Sequence, residues 1–226
     1  MLMKKTAILL GATGLTGGPL LNLLLKDNYY GKIKLFSRRS VGITHPKLEE
    51  HLVDVLQLEN QKEIFRADEV FCCIGTTKAK TPDAETYKKI DYGIPFTAAK
   101  LCKENNIKTF LVISAMGANP KSKVFYNKTK GEMERDVLAQ QIKNTFILRP
   151  SLIAGNRKEK RFGETIATFI FGIINPLLPK KYNSISPEDI AKAMVYVANN
   201  GNIQNTIESN QIKEIAIQCR KLNENF

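Results

Sequence analysis

Short apolar runs alternate with longer stretches of helical periodicity from the start of the chain to Pro150. An unbroken apolar run predicts a buried strand, whereas apolar positions spaced by three or four predict one face of a helix. The predicted strands are residues 6–10, 32–36, 51–53, 69–74, 109–114 and 145–149. The predicted helices are residues 15–26, 58–65, 84–105 and 123–141. Because alternating strands and helices pair in parallel, the sequence predicts an α/β fold with a doubly wound parallel sheet, a Rossmann fold, with ligands at the carboxyl ends of its strands.

The regular alternation ends at Ser151. The pattern beyond it predicts an apolar helix at residues 166–178, a helix at 187–199 capped by Ser186, a strand at 206–208 and a helix at 210–222. The apolar stretch is too short to span a bilayer, so we expect it to roof a pocket or pack on the sheet, with an interfacial position as the alternative. We predict a single domain over residues 1–226, in which residues 151–226 form a small C-terminal appendage on the substrate side.

A glycine-rich turn follows directly on the first predicted strand. Gly11 permits a tight turn, Gly14 lets the backbone approach a pyrophosphate, and Gly17 lets the next helix pack on the sheet. The helix N-terminus offers unpaired N–H groups and the positive end of its dipole to a phosphate. The spacing is GxxGxxG rather than the common GxGxxG, and an ordinary glycine turn is the alternative. The candidate cofactor-binding residues of this turn are Gly11, Thr13, Gly14, Leu15, Thr16 and Gly17.

The second predicted strand ends in a basic turn made of Ser37, Arg38 and Arg39. A site that prefers NAD places an acidic residue there, which accepts a hydrogen bond from the ribose 2′-hydroxyl. Guanidinium groups instead make charge-assisted, often bidentate, bonds to phosphate. The sequence therefore predicts NADP (NADPH) as cofactor, with Arg38 and Arg39 on its 2′-phosphate. An exposed basic turn is the alternative.

Three further cofactor-binding candidates follow predicted strands. Asp54 follows the third strand and is expected at the adenine edge, although a solvated turn residue has the same pattern. Gly75 and Thr76 follow the fourth strand and are expected to pass close to the riboses or the pyrophosphate. Because the carboxyl ends of parallel strands meet at one edge of the sheet, these residues are predicted to lie near the glycine turn.

A serine, a tyrosine and a lysine form the candidate catalytic set. Tyr126 and Lys130 make a YxxxK pair, which places phenol and ammonium on one helix face. The ammonium favours the phenolate and lowers the pKa of the tyrosine, as a proton donor to a developing alkoxide requires, and it can also bind the nicotinamide ribose. Ser114 ends a buried strand, where its hydroxyl can donate to a substrate carbonyl oxygen. The alternatives are a surface tyrosine beside a surface lysine and a serine that merely ends a strand.

Six motifs carry a resemblance to a known superfamily. They are GATGLTGG at 11–18, FCCIGTTKAK at 71–80, YKKIDY at 87–92, LVISAMGA at 111–118, YNKTKGEME at 126–134 and LRPSLIAGNR at 148–157. The chain resembles the short-chain dehydrogenases/reductases, in particular their small atypical members of the Tat-interacting-protein oxidoreductase type and bacterial relatives. The resemblance implies an NADP-binding Rossmann fold with a catalytic triad at Ser114, Tyr126 and Lys130. Asp91 stands where many relatives have Asn, so a proton relay through this position is not expected.

Charge and cysteine content exclude several classes. The net charge is +12, from 34 Lys and Arg against 22 Asp and Glu, but the basic residues are spread along the chain and the densest cluster, at 157–161, includes an acid. Specific nucleic-acid binding is therefore not expected. Four cysteines without a CxxC pair and two histidines predict free thiols and no metal site. The N-terminal apolar run is too short for a secretory signal, no transmembrane segment is expected, and we expect a cytoplasmic protein.

Two functions of different class fit these residues. The first is an NADP-dependent oxidoreductase that moves a hydride between nicotinamide and a small carbonyl or alcohol substrate, with Tyr126 as acid or base. The second is an NADP(H)-binding regulatory or scaffold protein without turnover, because a fold does not determine a function. Nucleotide-sugar epimerases use the same triad, but residues 151–226 look small for such a substrate. The identity of the substrate and the choice between a homodimer and another protein partner stay open.

Overall fold

The computed structural model describes residues 4–154 and 183–224, with side chains as far as residue 220. Its strands are β1 (Lys5–Leu10), β2 (Tyr30–Ser37), β3 (Leu48–Leu52), β4 (Glu69–Cys72), β5 (Thr109–Ile113), β6 (Asn144–Arg149) and β7 (Thr206–Glu208). They form one sheet in the order β3-β2-β1-β4-β5-β6-β7, and every neighbouring pair is parallel. The predicted doubly wound α/β fold is confirmed.

Helices connect most of the strands in the described ranges. They are α1 (Gly17–Lys26), α2 (Ala84–Lys88), α3 (Ile94–Glu104), α4 (Phe125–Leu138), α5 (Pro187–Asn200) and α6 (Ser209–Glu224), with a 3-10 helix at Val55–Gln61. The continuous helix predicted at 84–105 is interrupted by a π-helical turn at Lys89–Gly93, which joins α2 to α3. Such single π turns are frequent at functional sites, and this one carries Asp91.

Both faces of the sheet are buried, as the apolar runs of its central strands require. Successive side chains of a strand point to opposite faces, so Leu9 and Ile8 of β1 lie in different core clusters. The cluster around Leu9 includes Leu24 of α1 and Met194 of α5, whereas the cluster around Ile8 includes Ala98 of α3. Helices on both faces leave the carboxyl edge of the sheet as the place where loops converge.

The described part of the C-terminal third completes this sheet. Strand β7 pairs with β6, Ile190 and Met194 of α5 are buried in the main core, and the Ser186 side chain caps α5 by accepting a hydrogen bond from the Asp189 backbone. The predicted apolar helix at 166–178 and the basic cluster at 157–161 lie outside the described residues. That residues 151–226 form the substrate side stays a prediction.

The part of the chain that the structure describes has neither a membrane-spanning helix nor a metal-binding cluster. No helix in residues 4–154 or 183–224 has both the length and the apolar character that crossing a membrane requires. In the same ranges, no three His, Cys, Asp or Glu side chains are grouped so that they can hold a metal ion.

Candidate functional site

The glycine turn is so tight, and packs so closely against the end of β4, that two of its glycines have no room for a side chain. Gly11 has a φ of +86°, and a Cβ atom there would lie 2.8 Å from the carbonyl oxygen of Cys73. A Cβ atom on Gly17 would lie 2.0 Å from the carbonyl oxygen of Gly11. Helix α1 begins at Gly17 without a side-chain cap on its first N–H groups. A bare backbone turn that leads into an uncapped helix N-terminus fits the pyrophosphate of a dinucleotide.

A cleft of about 390 Å³ lies beside this turn. Thr13 of the turn, Asn22 of α1, and Ser40, Val41 and Ile43 of the loop after β2 line it. Within the turn, Thr13 and Gly14 are exposed, Leu15 is half-buried, and Thr16 and Gly17 are buried. Of these five residues, Thr13 is the one that lines the cleft.

The predicted phosphate-binding arginines stand at the end of β2. Arg38 and Arg39 are both exposed, and the buried Ser37 donates a hydrogen bond from its Oγ to the carbonyl oxygen of Arg39, at 2.8 Å. The described part of the chain has no acidic residue in this turn. Asp54, the adenine candidate, is exposed, and its Oδ1 accepts a hydrogen bond from the Leu56 backbone at 3.0 Å, which caps the 3-10 helix. Its adenine contact stays a prediction.

Gly75 and Thr76 lie where the end of β4 meets the π turn and α4. The Thr76 backbone N–H donates to Oδ2 of Asp91 at 2.7 Å. Oδ1 of the same carboxylate is 2.9 Å from Nζ of Lys130. A Cβ atom added to Gly75 would lie 3.6 Å from Asp91 Oδ1 and 3.9 Å from Lys130 Nζ. The fold therefore brings together the loop after β4, the π turn and the lysine of the YxxxK pair.

The Asp91–Lys130 pair is almost completely buried, with 1% and 4% of the two side chains exposed. Burial disfavours the ammonium, but the charges of the Asp91 carboxylate and the Tyr126 phenol outweigh it and raise the pKa of Lys130. Sequence reasoning missed this role of Asp91. The signal that was available is an acidic residue in the YKKIDY motif, on the element that follows β4.

Ser114 and Tyr126 complete the predicted catalytic set. Ser114 follows β5, is 4% exposed, and has no hydrogen-bond partner for its Oγ among the described residues. Tyr126 stands in the first turn of α4 and is 40% exposed. Tyr126 and Lys130 are four residues apart on α4, a spacing that puts them on the same face of the helix. A buried hydroxyl, a solvent-accessible phenol and a buried ammonium are the groups that carbonyl reduction requires.

The residues after YxxxK hold α4 in place. A Cβ atom on Gly131 would lie 2.2 Å from the backbone nitrogen of Pro120, so only glycine lets α4 pack against this loop. Glu134 accepts two hydrogen bonds from the Arg149 guanidinium of β6, at 2.9 Å and 2.5 Å. These contacts raise the pKa of Arg149 and tie α4 to the sheet. The KGExE part of the motif thus fixes the helix that carries Tyr126 and Lys130.

Solved structures share this fold at low sequence identity. The UDP-N-acetylglucosamine 4-epimerase of Methanobrevibacter ruminantium, solved with UDP-N-acetylmuramic acid, matches with a TM-score of 0.68 and 19% identity over 94% of this chain and 81% of its own. The Bordetella bronchiseptica enzyme WbmG, solved with NAD, matches with a TM-score of 0.69 and 13% identity over 98% and 79%. Likeness at this level of identity shows the fold alone.

Relatives found by sequence have a higher identity to this chain than the solved structures have. The protein FMP52 of Debaryomyces hansenii is 34% identical over 205 residues, which cover 85% of this chain and 87% of its own. The protein HTATIP2 of Rattus norvegicus is 31% identical over 175 residues, which cover 76% and 72%. The resemblance read from the six sequence motifs is confirmed.

The expected cytoplasmic location is wrong by the same comparison. The FMP52 proteins of Debaryomyces hansenii and Candida albicans are named as mitochondrial. The expectation rested on the lack of a secretory signal pattern, which separates secreted proteins from others but does not separate cytoplasm from mitochondrion.

The family comparison agrees with the geometry of the glycine turn. Residues 11–201 match a family model described as NAD(P)H-binding, and this range begins at the first glycine of the turn. The chain therefore belongs to the NAD(P)H-binding family, together with the atypical short-chain dehydrogenase/reductase-like proteins FMP52 and HTATIP2.

Proposed function

We propose that the chain is an NADP-dependent oxidoreductase that transfers a hydride between nicotinamide and a small carbonyl or alcohol substrate. One observation carries the proposal: the buried Nζ of Lys130 lies beside Gly75, two residues after Cys73, against which the glycine turn packs. The YxxxK lysine and the dinucleotide turn therefore meet at the same edge of the sheet. A surface lysine that happened to have this spacing would not be buried beside Gly75.

Each residue of the set has a role that follows from its position. Tyr126 donates a proton to the substrate oxygen as negative charge develops there, and accepts it back in the reverse direction. The Ser114 hydroxyl donates a hydrogen bond to the same oxygen and holds it against the phenol. Lys130 favours the phenolate through its charge. The bound nicotinamide supplies the hydride itself.

The proposed preference for NADP rests on the turn after β2. Arg38 and Arg39 are exposed and directly precede Ser40, which lines the cleft beside the glycine turn, and each guanidinium group can donate two hydrogen bonds to a 2′-phosphate. An NAD-preferring site would have a carboxylate at this position.

The substitution Tyr126→Phe tests the catalytic proposal. With a carbonyl substrate found by screening, and with oxidation of NADPH followed by absorbance, we expect kcat to fall by about 10²–10⁴-fold, because the general acid is lost. NADPH affinity, measured by calorimetry, should hardly change. Tyr29→Phe is the matched control, since Tyr29 is an exposed tyrosine at the opposite edge of the sheet. Undiminished turnover by Tyr126→Phe contradicts the proposal.

A second candidate function is an NADP(H)-binding regulatory or scaffold protein without turnover. The Asp91–Lys130 pair favours it, because the carboxylate offsets part of the positive charge that acts on the Tyr126 phenol. This candidate predicts tight NADPH binding, no oxidation of NADPH with any carbonyl compound in the screen, and no difference between the wild type and Tyr126→Phe.

A further inference from the structure

A carboxylate from β3 holds the loop that follows the two arginines. Oε2 of Glu50 accepts a hydrogen bond from Ser40 Oγ at 2.7 Å, and Oε1 accepts one from the Val41 backbone at 2.8 Å. Ser40 Oγ in turn accepts a hydrogen bond from the Gly42 backbone at 3.0 Å. Gly42 has a φ of +72°, the left-handed conformation that glycine adopts without strain. Glu50 therefore binds Ser40 and Val41 directly and holds Gly42 through Ser40.

Hydrogen bonds hold the backbone on both sides of the two arginines. On the β2 side, Ser37 is still part of the sheet and binds the carbonyl oxygen of Arg39. On the other side, Glu50 reaches the loop from β3, where it stands opposite Leu35 of β2. Arg38 and Arg39 thus occupy a short span of backbone that is fixed at both ends, although their side chains are exposed.

The residues that Glu50 binds also form a wall of the cleft. Ser40 and Val41 line it together with Thr13 of the glycine turn. The shape of the cleft, and the course of the backbone that leads from the arginines to it, therefore depend on the Glu50 hydrogen bonds.

We propose that Glu50 is a positioning residue that determines the preference for a 2′-phosphorylated nucleotide, an inference that rests on the proposed NADP-dependent function. A loop held in its binding conformation does not lose entropy when the ligand binds, whereas the affinity of a mobile loop is reduced by the fraction of time it spends in that conformation. The hydrogen bonds of Glu50 go to this loop, whereas the 5′-phosphate is expected on the glycine turn. Glu50 should therefore act on the ratio of affinities for nucleotides with and without the 2′-phosphate.

The experiment measures the affinities of adenosine 2′,5′-bisphosphate and adenosine 5′-monophosphate by calorimetry, in the full chain and without any substrate. For the wild type we expect the bisphosphate to bind at least about tenfold more tightly, because charge-assisted hydrogen bonds to the extra phosphate are gained. In Glu50→Ala the ratio should fall by about tenfold, with the monophosphate affinity nearly unchanged.

Two further variants separate anchoring from charge. Glu50→Gln removes the negative charge but keeps one acceptor oxygen for the loop, so an anchoring role predicts a ratio between those of the wild type and Glu50→Ala. Glu49→Ala is the matched control: it is the neighbouring acid on β3, its carboxylate binds Lys32 and His51 rather than the loop, and its ratio should equal that of the wild type.

The outcomes distinguish this inference from the function on which it rests. An unchanged ratio in Glu50→Ala overturns the inference alone, and so does a ratio that rises in both Glu50 variants, as removal of a repelling charge would produce. An equal fall in Glu49→Ala and Glu50→Ala also overturns it. A wild type that does not distinguish the two nucleotides contradicts the proposed preference for NADP, and the inference with it.

Discussion

Buried polar groups at the amino edge and at the carboxyl edge of the sheet differ in whether they have hydrogen-bond partners. At the amino edge, Glu69 is 1% exposed and accepts hydrogen bonds from the Tyr30 hydroxyl and, at 2.9 Å, from Lys5 Nζ. At the carboxyl edge, Ser114 is equally buried, but its hydroxyl has no partner among the described residues. The polar groups around Glu69 satisfy one another and stabilise the fold, whereas the Ser114 hydroxyl keeps bonding capacity, which the proposed function uses for a substrate.

The two buried carboxylates differ in the same way. Burial raises the pKa of Glu69, although Tyr30 and Lys5 favour its charged form, and the Lys5 side chain stays partly in solvent. Asp91 instead pairs with a lysine that is itself buried, next to the proposed cofactor site. A buried ion pair is weak evidence for stability. The two edges therefore differ most clearly at the Ser114 hydroxyl, which lacks a partner among the described residues and is the group that the proposed chemistry uses.

The largest effect is expected from Asp91→Asn, which leaves a buried ammonium without its counter-ion. The free energy of unfolding should fall by about 3–5 kcal/mol at neutral pH. In the wild type the raised pKa of Lys130 means that the pair stabilises the fold fully below the ordinary lysine pKa, and that this contribution is lost as the pH rises through the raised value. In the variant burial, the largest single influence, is opposed only by Tyr126 and Cys72 and lowers the pKa of Lys130, so stability should rise with pH as the lysine loses its proton.

Urea unfolding of the wild type and of Asp91→Asn at neutral and mildly basic pH checks this prediction. Glu63→Gln is the control, because Glu63 belongs to an exposed ion pair with Arg66 and should show no measurable loss. If Asp91→Asn lowers the free energy of unfolding as little as the control does, without any dependence on pH, then the Asp91–Lys130 pair contributes no more to stability than an exposed ion pair.

The second largest effects are expected from removal of one buried hydroxyl at each edge, that of Ser114 or that of Tyr30. Ser114→Ala should leave the free energy of unfolding within about 0.5 kcal/mol of the wild type but lower kcat by about 10²–10³-fold, because it removes a donor to the developing oxyanion. Tyr30→Phe should lower the free energy of unfolding by about 1–2 kcal/mol, because Glu69 loses a buried donor, while kcat stays unchanged. If the two variants exchange these effects, the division between the edges is wrong.

The smallest of these effects is the rise in Tm that an added cofactor produces. At about 100 times its Kd, NADPH should stabilise the protein by about 2.7 kcal/mol, which corresponds to about 5–10 °C in Tm, and NADH at equal concentration should give a much smaller shift. The double variant Arg38→Ala/Arg39→Ala should lose the excess shift, whereas Arg66→Ala, a control at an exposed arginine, and Tyr30→Phe should keep it. Equal shifts with the two cofactors would contradict the role given to the arginines.

The fold was predictable because its signals are local. An apolar run predicts a strand, and GxxGxxG predicts a turn, without any knowledge of tertiary contacts. Strand β1, the turn from Gly11 to Gly17 and the α/β alternation therefore follow directly from the sequence. The contacts of Asp91 and Glu50 depend on which elements become neighbours in space. Asp91 reaches Lys130 through a π turn inside what the pattern predicts as one helix, and Glu50 reaches the arginine loop only because β3 pairs with β2. No spacing in the sequence encodes either contact.

A crystal structure with NADPH bound would show whether the glycine turn and the Ser114, Tyr126 and Lys130 set serve one site, because it locates both ends of the cofactor at once. We expect the pyrophosphate on the glycine turn and the 2′-phosphate against Arg38 and Arg39. We also expect the nicotinamide beside Gly75, with Tyr126 Oη and Ser114 Oγ both within about 3 Å of one point next to the nicotinamide, where a substrate oxygen can sit. A nicotinamide bound away from Tyr126, or a phenol that points away from it, would show that these residues do not form the proposed catalytic site.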